Sequence, residues 1–199
     1  MTGLLSLSRL IDGISTRIGR WLSWLILVAV VVSAVNAIIR KVFDQSSNAW
    51  LELQWVLFGA VFLLCSAWTL SSNEHIRIDV VNGLFSKRVR NWIDMFGHFI
   101  FLMPFTLIMI YMSWPFALRS YAINEQSVNA GGLPQWPAKF LVLLGFVLLA
   151  IQGISEIIKR AAIMTGHLEE TSSGGGHHAA AEAEAERLLA HAKAEQSGS

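Results

Sequence analysis

The acids and histidines inside the long apolar runs of this 199-residue chain are Glu52, His98 and Glu156. An ionisable group within a membrane is costly and marks an ion path or a paired site. A proton or sodium route needs acids, or broken helices, near the midplane. All three groups lie near the ends of their runs. Glu52 falls two residues into its run, at a helix start where the macrodipole favours an anion. Glu156 stands one turn before Arg160, the spacing of an i,i+4 ion pair. His98 with His75 would be the pair for a histidine-ligated haem, as in the membrane anchor of a respiratory enzyme, but His75 falls in a charged loop and such a haem needs facing histidines at similar depth. His177, His178 and His191 belong to a polar tail, where solvation outweighs metal binding. Nucleophile triads and Gly-rich phosphate loops are missing. The chain is expected to be no enzyme, to bind no metal or cofactor, and to carry no transport chemistry of its own.

The elements that hold these groups follow from composition. Hydrophobic residues make up 54% and charged residues 15% of the chain, with mean hydropathy +0.51. Soluble domains carry about 25% charged residues, and disorder requires low hydrophobicity. A net charge of +1 excludes a nucleic-acid partner, which would need a basic stripe. The lone cysteine, Cys65, forms no internal disulfide. The partner this composition does imply is the lipid membrane.

A spanning helix takes about 20 apolar residues across about 30 Å of hydrocarbon. Four segments qualify, at about 21–39, 50–70, 95–118 and 136–158. Eleven Lys and Arg fall on the side of the termini and of the loop between spans two and three, against Arg40, Lys41, Arg119 and Lys139 opposite. The positive-inside rule then places both termini in the cytoplasm. The first run exceeds the h-region of a cleaved signal peptide. The expected fold class is an all-α integral membrane protein of four transmembrane helices, N-in and C-in.

Two flanking segments are amphipathic. Leu4, Leu7, Leu10, Ile11, Ile14 and Ile18 share one arc, with Arg9, Asp12, Thr16, Arg17 and Arg20 opposite. This predicts an interfacial helix over residues 1–20. Leu84, Phe85, Val89, Trp92 and Ile93 oppose Lys87, Arg90, Asn91 and Asp94, which predicts a horizontal surface helix over about 84–94, before span three. Residues 21–164 form the four-helix membrane domain, and 165–199, opening on Ser-Gly linker chemistry, a flexible cytoplasmic tail. Pro104 is expected to kink span three. Gly145 and Gly153 mark a close helix contact on span four.

The most telling stretch runs from Trp50-Leu51-Glu52 at the start of span two to Glu74-His75-Ile76-Arg77-Ile78-Asp79 at its far end. Trp-x-Glu followed by Glu-His-x-Arg-x-Asp resembles the small membrane subunit (DctQ-like) of TRAP, or tripartite ATP-independent periplasmic, transporters. Arg40 with Phe43 at the end of span one is similar to that family's Arg and aromatic. Where members carry a second acid beside Glu52, this chain has Leu51 and Leu53. The resemblance covers about residues 9–160.

The resemblance implies a bacterial inner-membrane system of three parts. A periplasmic substrate-binding protein delivers an organic acid or similar solute. A large permease holds the sodium ions and substrate and performs symport. The small subunit braces the permease scaffold. Glu74, His75, Arg77 and Asp79 are expected to form a polar knot against the permease, because Ile76, Ile78 and Val80 alternate through them. Arg40 and Glu52 flank the first exoplasmic loop, where they pair or contact the permease, with Trp50 beside them. The loop carrying Asn129, Gly131, Gly132, Pro134 and Trp136 has the turn chemistry of either a docking surface or a tight turn into span four.

Overall fold

The computed structural model describes residues 2–44, 47–72 and 87–165. Every regular element in them is a helix. Residues 73–86, with Glu74, His75, Arg77 and Asp79, and residues 166–199, with His177, His178 and His191, lie outside the described residues.

Helix α1 (Thr2–Leu22) passes through Ser23 into α2 (Trp24–Phe43). Ser23 itself keeps helical angles, φ −60° and ψ −28°. The run of Leu, Val and Ile in α2 forms a helix because backbone polar groups in lipid must be satisfied within their own segment. It ends at Asp44, which takes the left-handed conformation at φ 51°, a helix-stopping geometry that Asp tolerates. Helix α3 spans Asn48–Ser71 and α6 spans Trp136–Met164. Between them in sequence come α4 (Lys87–Phe96), a π-helical turn (Gly97–Leu102) and α5 (Met103–Ala122). Four helical stretches are long and apolar enough to cross a membrane: Gly3–Phe43, Asn48–Ser71, Asn91–Ala122 and Trp136–Met164.

Pro104 acts differently from the expected kink. It lies in the first turn of α5, where a missing N–H costs least. The irregularity is taken up one turn earlier, where the Met103 N–H donates to the His98 carbonyl, five residues back. Pro115 is the proline inside the regular part of that helix.

Helix α6 is the central post, touching α1, α3, α4 and α5. Against α5 it runs antiparallel in steady register. Tyr121 meets Trp136, Phe105 meets Phe146, and Gly153 faces Leu102 and Met103. The register continues past the π turn, where Asn91 and Asp94 of α4 meet Arg160. Residues 87–96 therefore extend the third long helix along α6, where the sequence had suggested a separate helix turned aside. Their polar residues find partners on α6, so α4 has no reason to leave it. Gly145 sits against α3, and a Cβ there would lie 2.9 Å from the Leu63 Cβ. That close approach is the packing the small residue predicted.

The join between α1 and α6 is polar. Ser8, Ser15, Gln152 and Ser155 are buried. Ser8 and Ser155 hydroxyls lie 2.7 Å apart. Gln152 accepts from Ser15 Oγ at 2.7 Å and donates to Asp12 Oδ1 at 2.7 Å. Ser155 Oγ donates to the same oxygen at 2.9 Å, and Lys159 reaches Asp12 Oδ2 at 3.1 Å. Asp12 and Ile11 thus turn inward onto the neighbouring helices, while Leu4, Leu7, Leu10 and Ile14 stay exposed. In a membrane, such hydrogen-bonded polar side chains join helices where the hydrophobic effect cannot.

Candidate functional site

The densest set of long-range polar contacts at one end of the bundle is built on Glu52. This residue is buried in the second turn of α3. It faces the segment between α5 and α6, which folds into a small closed structure. Asn124 takes φ 46° to leave α5, and Gly131 takes φ 69° at the tip. Gln126 and Pro134 pair as an antiparallel bridge. The Ser127 N–H donates to the Leu133 carbonyl at 3.1 Å, and the Gln135 N–H to the Glu125 carbonyl at 2.9 Å. Within the tip, the Gly132 N–H donates to the Asn129 carbonyl at 3.0 Å.

The Glu52 carboxylate closes this loop from below. Its Oε1 accepts from the Ser127 hydroxyl and from Asn129 Nδ2 at 2.9 Å. Its Oε2 accepts from the Leu133 N–H at 2.6 Å. One turn earlier, Asn48 Nδ2 donates to the Ala130 carbonyl at 3.0 Å. Gly132 is required by space. A Cβ there would stand 2.5 Å from the Ser127 Cβ and 2.7 Å from Glu52 Oε1. The carboxylate is thus an anchor for a loop, with its lone pairs directed at protein donors.

The flank of the loop is fixed by charge and aromatic packing. Lys139, in the first turn of α6, pairs with Glu125 and lies 4.1 Å from the Phe116 ring centroid, a cation–π distance. The Lys139 ammonium holds the Glu125 carboxyl below its ordinary value of 4.5. Trp136 packs edge-on against Tyr121 at 5.4 Å and against Phe140 at 6.2 Å. Val128 is fully exposed on the loop, and Trp50 is partly exposed beside its base.

Of the expected site residues, Glu52, Asn129 and Gly132 are brought together, with Gly131, Pro134 and Trp136 in the same loop. One expected ion pair is replaced, and of the two alternatives for Arg40 and Glu52, the mutual pair is not formed. Glu52 and Arg40 form no ion pair with each other, because the loop takes both carboxylate oxygens. Arg40 instead lines a cleft between α2 and α3. Glu156 pairs with Lys159 at 2.5 Å, while Arg160 reaches Asp94 at 3.1 Å and Asn91 at 3.1 Å. The i,i+4 rule sees one helix only, and the partners on α4 were nearer. His98 Nδ1 lies 2.6 Å from the Asp94 carbonyl, and among the described residues no three His, Cys, Asp or Glu side chains cluster to hold a metal ion.

Sequence reasoning missed Ser127, Leu133 and Lys139 as partners of the two loop acids, and Gln152 as the hub of the α1–α6 join. Gln152 had a usable signal, since an uncharged amide inside an apolar run needs interhelical partners. The Leu133 contribution is a backbone N–H, which no side-chain pattern reveals.

A family model described as Tripartite ATP-independent periplasmic transporters, DctQ component, matches residues 27–162. No curated protein and no solved structure matches the chain.

Proposed function

From the premise that the chain belongs to the DctQ component family of the tripartite ATP-independent periplasmic transporters, we propose that it braces the scaffold of a large permease and offers its Glu52-anchored loop to a periplasmic binding protein. The chain is a multi-pass membrane component of a transporter and not an enzyme, and its family implies a tripartite complex with DctM and DctP partners.

In this reading the partner permease takes up an organic acid or similar solute with sodium. The small subunit lies in the bacterial inner membrane with both termini cytoplasmic, as the Lys and Arg asymmetry favours. The division into an interfacial helix over 1–20, a membrane domain over 21–164 and a tail over 165–199 belongs to the same proposal. So do the structural or subunit-contact roles of Arg40, Trp50, Glu52, Glu74, His75, Arg77 and Asp79. The loop residues Asn129, Gly131, Gly132, Pro134 and Trp136 provide the docking surface.

One observation carries the reading. Glu52 spends its lone pairs on three donors of its own chain, which leaves it holding a loop and not an ion. The buried polar side chains of the α1–α6 and α4–α6 joins connect helix to helix. A chain whose polar groups are used for fixing shape suits a brace.

The test is purification of the tagged protein from native membranes in mild detergent, followed by mass spectrometry of what co-elutes. A many-spanning permease in stoichiometric amount is expected. Dehydrogenase or cytochrome subunits in its place would overturn the proposal and favour the haem-anchor alternative.

A further inference from the structure

A second polar feature lies beside the Glu52 site. Between the C-terminal half of α2 and the early turns of α3 lies an open cleft of about 490 Å³, lined by Ser33, Asn36, Arg40, Lys41, Asp44 and Gln54. Asn36 is only 9% exposed, yet its amide has no hydrogen-bond partner among the described residues. Its polar atoms are not sealed off, so the amide opens into the cleft. Its placement in the cleft wall points to a ligand that supplies the missing acceptor.

We propose that this cleft binds the phosphate headgroup of a membrane phospholipid. Charge fits first. Arg40 and Lys41 against Asp44 leave one positive charge in excess, which matches the single negative charge of a phosphodiester. Donor chemistry fits next. The Arg40 fork and the Lys41 ammonium suit phosphate oxygens, and the amides of Asn36 and Gln54 add neutral donors deeper in the cleft.

Depth favours a lipid over a soluble anion. Asn36 lies seven residues before the α2 end at Phe43, and Gln54 six after the α3 start at Asn48. At 1.5 Å per residue, both sit about 10 Å in from their helix ends, near the boundary between headgroups and acyl chains. Val35, Ile38 and Val42 on the same helix are exposed, giving acyl chains a surface beside the polar cleft. Arg40 and Lys41 also oppose the negative end of the α2 dipole, but that role leaves Asn36 unexplained.

The proposal rests on the membrane placement of α2 and α3, not on the identity of the partner subunit. The complex would be purified from native membranes with extensive detergent washing, and retained phospholipid quantified by mass spectrometry. The wild type is expected to keep a phospholipid in stoichiometric amount. Arg40→Gln and Asn36→Leu should lower retention about tenfold, the effect of losing one strong hydrogen bond, while Arg17→Gln should not. Arg40 is exposed, so its replacement leaves the fold intact and keeps the test decisive.

Thermal unfolding with added short-chain phosphatidylglycerol or inorganic phosphate separates the two phosphate sources. Protection by the lipid alone supports the proposal. Equal protection by inorganic phosphate would assign the cleft to a soluble anion and overturn it. Unchanged lipid retention in folded Arg40→Gln and Asn36→Leu would overturn it as well. So would efficient crosslinking of Asn36→Cys to the permease, which would show the cleft filled by protein.

Discussion

The side chain of Gln152 is held from both sides, giving a hydrogen bond to Asp12 over 2.7 Å and taking one from Ser15 over 2.7 Å. No part of this amide reaches solvent. These two partners lie on α1, one turn apart, and a third, longer bond runs to Glu156 on α6 itself at 3.3 Å, so a single side chain fixes α1 in position and rotation against α6. Asp12 also takes Ser155 and Lys159, so Gln152 is the hub of a network and not its only bond.

Replacing Gln152 by Leu should therefore cost about 1–3 kcal/mol, because Asp12 and Ser15 are left with buried polar atoms short of partners. Thermal unfolding in detergent measures the loss. Limited proteolysis should show α1 cut faster than in the wild type, with α3 and α6 unchanged.

Glu52→Ala should free the loop at its base. The Leu133 N–H, Asn129 amide and Ser127 hydroxyl each lose an acceptor. Hydrogen exchange at Leu133 is expected to quicken by about tenfold or more, corresponding to at least about 1.4 kcal/mol. Gly132→Ala should give a similar result through crowding, since its Cβ would press on Ser127 and Glu52. Solute uptake should fall in both variants if the loop docks the binding protein, and unchanged uptake would count against docking.

The Glu125–Lys139 pair makes the loop sensitive to acid. The folded Glu125 carboxyl titrates below its ordinary value of 4.5, chiefly because of Lys139. Its stabilising contribution is complete above that ordinary value and is lost as pH falls through the lower folded one. Trp136 fluorescence should report loosening of the loop in that acid range. Glu125→Gln should show the loosened signal at neutral pH and lose the acid step.

Arg160→Leu should be the more damaging change at the opposite end. The pair with Asp94 lies between largely buried side chains, and removing one partner of such a pair costs about 3–5 kcal/mol. Loss of contact between α4 and α6 can be followed by the rate of crosslinking between cysteines placed at Asn91 and Met164. If stability and crosslinking are unchanged, the pair is only a surface contact.

The four long helices were legible because an apolar run in lipid has few alternatives to a helix. The ends were less so. Helix α6 runs to Met164, past the apolar run, because Lys159 and Arg160 find partners on neighbouring helices. Asp12 read as a water-facing residue because a helical wheel cannot show a polar stripe on the adjoining helix. Glu52 was recognised by its motif, but its partners lie 75 to 81 residues away. Burial in a neighbour's polar face is a tertiary fact, and local patterns carry none of it.

The contact between Asp12 and Gln152 also sets an order of events during biosynthesis. The two residues are separated by 140 positions. At bacterial or eukaryotic rates of synthesis the ribosome needs on the order of ten seconds to bridge them. Through that interval α1 emerges with its inward-facing carboxylate unmatched, and only the last span supplies Gln152, Ser155 and Lys159. The nascent N-terminal helix therefore lacks its partners on α6 until the last long helix has been made.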